Sequence, residues 1–206
     1  MQESAADTAV PADGRAARAL RTREAIVDAC IALVEEGDLR PTAPRIAARA
    51  GVSVRSVFQH FADLPSLHIA VTERIAERMA ALVVPIDPGL PLDARIGRFV
   101  AQRANLLEAM TPFRVAANVH GPFAPEIRQA VHAGSALLRA EVERVFAPEL
   151  ATSSAADRGE VTDALATVSS WGTWDSLRTE WNDDPDRARA VLARLVRAVL
   201  TPAAST

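Results

Sequence analysis

The 206-residue chain has no lysine, a single cysteine and only nine glycines. Each scarcity excludes something. One thiol, Cys30, rules out an internal disulfide framework and a Cys-rich zinc site. Sparse glycine beside abundant alanine favours helix. No apolar run approaches the roughly 20 residues needed to span a bilayer. The first residues, MQESAADTAVPADGR, are acidic and lack an apolar stretch, so they do not read as a signal peptide, and a cytoplasmic protein is expected. His68, His120 and His132 have no metal-ligand spacing with carboxylates. There is no glycine-rich phosphate loop and no Ser-His-Asp layout, so catalysis, cofactors and metals are not expected. Alternating strand patterns and internal repeats are also missing, which leaves an all-α fold.

The basic charge is all arginine. A GC-rich coding genome explains that bias, although the planar guanidinium fork also suits phosphate and guanine. A hydrophobic fraction of 49% is enough for a core, and 24% charged residues is ordinary for a globular chain. The net charge of −3 is unevenly spread. Residues 1–14 carry Glu3, Asp7 and Asp13 and no base, residues 15–63 carry a net of +2, and residues 64–206 a net of −2. The expected organisation is a disordered tail over 1–14, a helix-turn-helix domain over 15–63, and a helical effector-binding and dimerisation domain over 64–206.

Proline, glycine and capping residues mark the helices. Ile26, Ala29, Cys30, Leu33 and Val34 fall at helical spacing before Gly37, with the start at Thr22 or earlier in the run Arg15, Arg18, Arg21, Arg23. Thr42 can cap a short helix with Pro44 in its first turn and Ile46, Ala47 and Ala50 inward. Gly51 ends it, and Ser53 caps a third helix through about Phe61. Asp63 caps a long helix striped by Leu67, Val71, Ile75 and Leu82, broken at Pro85, Pro88 and Pro91. Further helices are expected over 92–110, 111–120 (ended by Gly121–Pro122) and 124–146, then a loop over 151–160. Two more follow over 160–181 and 184–200, the last with Val191, Leu192, Leu195, Val196 and Val199 inward, before a frayed TPAAST tail.

Helix, tight glycine turn, helix is the layout of a DNA-binding helix-turn-helix, and also of an ordinary corner between helices. The second helix, with Val54, Arg55, Ser56 and Gln59 on its outer side, is too short for a major core element. A major groove admits one helix, and such side chains reach base edges there.

TREAIVDACIALVEEGD, PTAPRIAARAGVSVRSVFQHF and FADLPSLHIAV together resemble the N-terminal domain of TetR (tetracycline-repressor-like) regulators over residues 22–83. The resemblance covers about a third of the chain; the remainder is similar only in helical layout. It implies a homodimer whose recognition helices enter successive major grooves. It also implies phosphate contacts from Thr42 and Ser56, base or groove contacts from Val54, Arg55 and Gln59, and a backbone contact from His60. Arg45 would reach phosphates from the preceding helix, and Ser53 also turns towards DNA. Phe58 replaces the family's usual Tyr, keeping its packing and losing its hydroxyl, and Leu64 replaces its frequent Lys, so two phosphate contacts are lost. Whether the arginines of 15–23 reach DNA or form a solvated helix start stays open.

The resemblance also implies a small-molecule effector in the C-terminal domain and a repressor released by it. Candidate ligand contacts are Phe99, Arg103, Leu106, Met110, Phe113, Arg114, Asn118 and His120, with Trp171 and Trp174, which share a face at i, i+3. A buried core or dimer role is the plainer reading of the tryptophans. A buried Arg103 or Arg114 would favour an anionic or polar ligand. The alternative function is a helical ligand-binding or interaction protein with weakened or lost DNA binding.

Overall fold

Alanine, leucine and arginine are strong helix formers, and their dominance is matched by a helical chain. A computed structural model describes residues 12–120, 124–152, 154–182 and 184–201, with the side chains of Ala12, Asp13, His120, Ala155 and Ala156 outside the description. No strand occurs among them. The chain divides into two compact units, Met1–Arg74 and Ile75–Thr206. The division falls inside a helix, C-terminal to the boundary at residue 63 expected from sequence.

In the first unit α1 spans Ala12–Glu35, α2 Ala43–Ala50, α3 Val54–His60, and α4, Leu64–Ala80, begins. Helix α1 starts well before Thr22, whose hydroxyl donates to Arg18 O at 3.0 Å within the helix. The expected tail therefore fails over residues 12–14, which are helical; residues 1–11 lie outside the description. Ile26, Val27, Cys30, Ile31 and Val34 of α1 are buried, as are Ile46 and Ala47 of α2, Val57 and Phe61, and Leu67 and Val71. Burial pushes the Cys30 thiol up to about 11, with the nearby Asp38 charge adding to it, as suits an inert core thiol. Asp63 Oδ1 accepts from Ser66 N at 2.9 Å at the start of α4, and Arg74 ties α4 to Asp28 of α1 at 3.1 Å. The apolar stripe of α4 stops early: the helix ends at Ala80, and Leu82 and Val84 are exposed beyond it.

The second unit is built on α5, Leu92–His120. The break expected at Thr111–Pro112 is absent. Proline removes one backbone donor, but buried Leu106 and Leu107 before it and Ala116 after it hold both halves of α5 in one packed helix. Helix α6 covers Pro125–Val145, α7 Ala147–Leu150, α8 Ala155–Val168, α9 Trp171–Asp175 and α10 Pro185–Leu200. The Gly121–Pro122 stop and most of the terminal tail lie outside the described residues. Two expectations are corrected here. The loop over 151–160 is already α8 from Ala155, capped by Ser154, whose hydroxyl accepts from Asp157 N. The single helix over 160–181 is broken at Ser169–Ser170, because Ser170 Oγ caps a new helix by accepting from Thr173 N. A wide turn over Ser176–Glu180 follows, closed by Trp181 N donating to Ser176 O at 3.1 Å.

The apolar core of this unit joins Ile96, Phe99, Leu107, Val142, Phe146, Leu165, Trp174, Leu192 and Val196. A buried ion pair fastens its edge. Arg95 donates to Glu149 at 2.5 and 2.6 Å, to Val145 O at 2.9 Å and to Leu90 O at 2.8 Å.

Candidate functional site

Two places gather the residues singled out from sequence, one in each unit. In the first, Thr42 sits at the N-cap of α2 in extended backbone, exposed, and its hydroxyl makes no capping bond. Pro44 fits the first turn, where a missing N–H is harmless. Gly51 closes α2 at φ 68° and ψ 30°, a left-handed conformation that favours glycine. Its N–H and that of Val52 donate to Ala48 O and Ala47 O at 3.3 and 3.0 Å. Ser53 then caps α3, its hydroxyl accepting from Ser56 N at 3.1 Å.

This turn gives α3 two unlike sides. Val57 and Phe61 are buried. Val54, Arg55, Phe58 and Gln59 are exposed, and Ser56 and His60 are half-buried. Phe58 is therefore a surface residue, 50% exposed, and does not share in the packing expected of it. It lies one position from buried Val57 and four from exposed Val54, which puts it on the outer face. The Ser53 hydroxyl already serves as a cap.

Charge around the turn is partly self-neutralised. Arg45 lies 2.9 Å from Asp38, and Arg49 2.6 Å from Glu36. Arg23 stacks on the Phe61 ring with its guanidinium carbon 4.9 Å from the centroid. Arg15, Arg18, Arg21 and Arg55 are exposed and have no ion-pair partner among the described residues. Because Arg23 sits at the end of α3, Arg15 lies about 12 Å further along the axis of α1.

In the second unit the ligand candidates separate. Phe99 is fully buried edge-on to Phe146, at 5.3 Å between centroids, and Leu106 is buried; both are core. Asn118 is exposed, Met110 and Phe113 are half-buried, and the His120 side chain is not described. Arg103 is buried, and its Nε donates to Ser169 O at 2.8 Å. Burial pushes this guanidinium down to about 10, with Glu141 opposing the shift, so it stays charged at neutral pH.

The two tryptophans meet α5 in matched register. Trp174 Nε1 donates to Glu108 at 2.9 Å, and Trp171 Nε1 to Thr111 Oγ1 at 3.2 Å. Glu108 also accepts from Arg178 Nε at 2.7 Å. The Arg114 guanidinium lies over the Trp171 ring, 5.1 Å from its centroid. Trp174 is core, Trp171 half-buried, and Trp181 exposed at 71%. Glu108, Thr111 and Ser169 did not emerge from the sequence reading. A usable signal was there: Glu108 and Thr111 repeat the i, i+3 spacing of the two indoles, each of which needs an acceptor when buried.

Among the described residues no group of three metal-ligating side chains could hold an ion, and no helix is long and apolar enough to cross a membrane. No family model matches the chain, and no curated protein matches it in sequence. Solved structures do share its fold. A putative TetR-family transcriptional regulator from Rhodococcus sp. is 18% identical, with TM-score 0.67 over 87% of this chain and 99% of that one. A TetR-family regulator from Streptomyces coelicolor is 18% identical, with TM-score 0.63 over 86% and 78%. The multidrug binding protein EbrR, solved with imidazole, is 24% identical, with TM-score 0.59 over 90% and 95%. The all-helical arrangement is thus the fold of TetR-type transcriptional regulators.

Proposed function

We propose that the protein is a TetR-like, DNA-binding transcriptional regulator, a cytoplasmic homodimer released from its operator by a small molecule bound in the second unit. It has no catalytic role in this reading. The observation that carries it is the short helix α3, held by Val57 and Phe61 behind the left-handed Gly51 and presenting Arg55 and Gln59 outward. In a major groove Arg55 can donate two bonds to a guanine and Gln59 can read an adenine edge. Thr42, with its uncommitted hydroxyl, and His60 flank that face as phosphate contacts; Ser56 adds a third. Val54 meets the groove wall. Arg15, Arg18 and Arg21 add charge further along α1.

The solved neighbours support the regulator reading through their shared fold, and EbrR supports a small-molecule site because it was solved with one bound. Two copies of α3 would engage half-sites roughly 34 Å apart, or a multiple of that. An effector that prefers a different separation of the two helices shifts the population away from DNA. Helix α4, which runs across the division between the units, is the element placed to transmit the change.

A second reading rests on the ion pairs of Arg45 and Arg49 and on Phe58 and Leu64. Together they weaken the hold on phosphate and favour a helical ligand-binding protein that no longer grips DNA. One experiment separates the two. The full chain is titrated against its own upstream region and against scrambled duplex at moderate salt. Specific binding supports the regulator; equal, weak binding to both supports the alternative. Arg55→Ala should then cost about 1–3 kcal/mol at one base pair and leave the melting temperature nearly unchanged. A uniform loss over all sequences would make Arg55 a phosphate contact instead.

A further inference from the structure

In the second unit Arg95, Arg139, Arg178 and Arg197 each have a carboxylate partner: Glu149, Asp163, Glu108 and Asp93. Arg114 has none among the described residues. Its Nε is closed off from solvent and makes no hydrogen bond, and its terminal nitrogens keep some access without a partner. Half-burial alone, with no opposing acid, holds its pKa below the usual arginine value. A desolvated cation is costly unless paired. The stacking on Trp171 offsets only part of that cost.

The surroundings are built rather than incidental. Thr111 accepts from Trp171 Nε1, and Ser170 caps the helix that carries the indole, so the ring beneath the guanidinium is fixed. Further along the same seam one more polar group is unsatisfied: Ser169 Oγ is buried without a hydrogen bond, beside the Ser169 O that accepts from Arg103 Nε. Arg103, Thr111 and Arg114 share one face of α5 at helical spacing, and each meets the segment Ser169–Trp171. A buried polar group left unpaired calls for a ligand or an ion to complete it. The Arg114 guanidinium carbon lies 5.1 Å from the indole centroid, and a guanidinium fork matches a carboxylate bidentately.

We propose that Arg114, seated on Trp171, is the anion-recognition point of the second unit, and that the effector is a small organic carboxylate whose apolar body lies against the indole. This deepens the effector reading above and rests on it.

The test uses the full chain and matched probes: benzoate and octanoate as acids, benzamide as the neutral counterpart of benzoate, and benzamidine as the cationic one. Tryptophan emission and melting temperature are followed on titration. At least one acid should bind saturably and raise the melting temperature, with benzamide and benzamidine at least tenfold weaker than benzoate where benzoate is the acid bound. Arg114→Gln should weaken the acid at least tenfold; Arg114→Met, which keeps the stem over Trp171, is the second variant if the first misfolds. Equal binding of benzoate and benzamide, acid binding unchanged in both variants, or no response to either acid would overturn the proposal. A parallel gel shift keeps the two readings apart. Acid bound through Arg114 while DNA stays bound upholds the anion site and overturns the carboxylate's role as effector, together with effector release. A chain that never binds DNA sinks the regulator reading and leaves Arg114 to be judged on acid binding.

Discussion

Replacing Gly51 with alanine isolates the cost of the turn that orients α3. At φ 68° the backbone is left-handed, and an L residue there loses about 1–2 kcal/mol. An ideal Cβ built on Gly51 meets nothing within 4 Å, so no steric cost adds to the conformational one. Alanine also restricts the unfolded chain, which returns about 0.4–1 kcal/mol. The net loss is about 1 kcal/mol, equivalent to roughly 4–8 °C in the melting of a unit of this size. Gly51→Asn should lose less, because asparagine tolerates this conformation. Circular dichroism melts of the full chain measure both, and operator titration above and below the transition shows whether folded Gly51→Ala still binds. Gly37, at φ 91° with equally open space, is an independent control and should cost a similar amount. A melting temperature unchanged by Gly51→Ala would refute the strain argument. A loss above about 3 kcal/mol would mean that crowding, not backbone preference, dominates.

Changing Arg15, Arg18 and Arg21 together to Gln should flatten the plot of log affinity against log salt by nearly 3, at about 0.9 for each lost phosphate contact, with sequence preference unchanged; an unchanged slope would assign them to solvent. Arg95 holds the Glu149 carboxyl below the usual carboxylate range, its hydrogen bond being the main cause. Because the folded value is the lower one, the pair's contribution is full above about pH 4.3 and lost as pH falls through the depressed folded value. Glu149→Gln should therefore remove part of the acid dependence in urea melts between pH 3 and 7, and destabilise at pH 7 by about 3 kcal/mol, since Arg95 stays buried without its counter-charge. Equal acid slopes for variant and parent would count against the assignment.

Local punctuation was legible where one residue decides the backbone. Pro44, Gly51, Ser53, Asp63 and Asp184 stand at or beside the helix ends they suggested, because caps and left-handed turns are near-neighbour chemistry. Errors arose where packing outvotes such signals. Pro112 looked like a break, yet the helix continues because both of its flanks are buried. Ser169–Ser170 looked like helix interior, yet Ser170 caps a new helix and frees Ser169 O for Arg103 sixty-six positions away in sequence. Phe58 was expected to keep part of the packing of the family's Tyr, yet its angular position on α3 puts it outside. The ligand candidates divided for the same reason: Phe99 and Arg114 lie on one helix, and sequence periodicity could not say which would be sealed in a core and which left half-solvated on an indole.

Under the regulator reading, the carboxylates beside the turn have a consequence for the time the protein would spend on ordinary DNA. Asp38 and Glu36 occupy Arg45 and Arg49, so a phosphate must displace an anion already in place. On random sequence nothing compensates for that exchange, and the hold there is brief. On an operator, the base contacts proposed for Arg55 and Gln59 would make the exchange favourable. Under the regulator reading, a pair of intramolecular ion pairs thus lowers the background against which a genomic search is run, and discrimination is gained by letting go of wrong sites sooner rather than by gripping the right one harder.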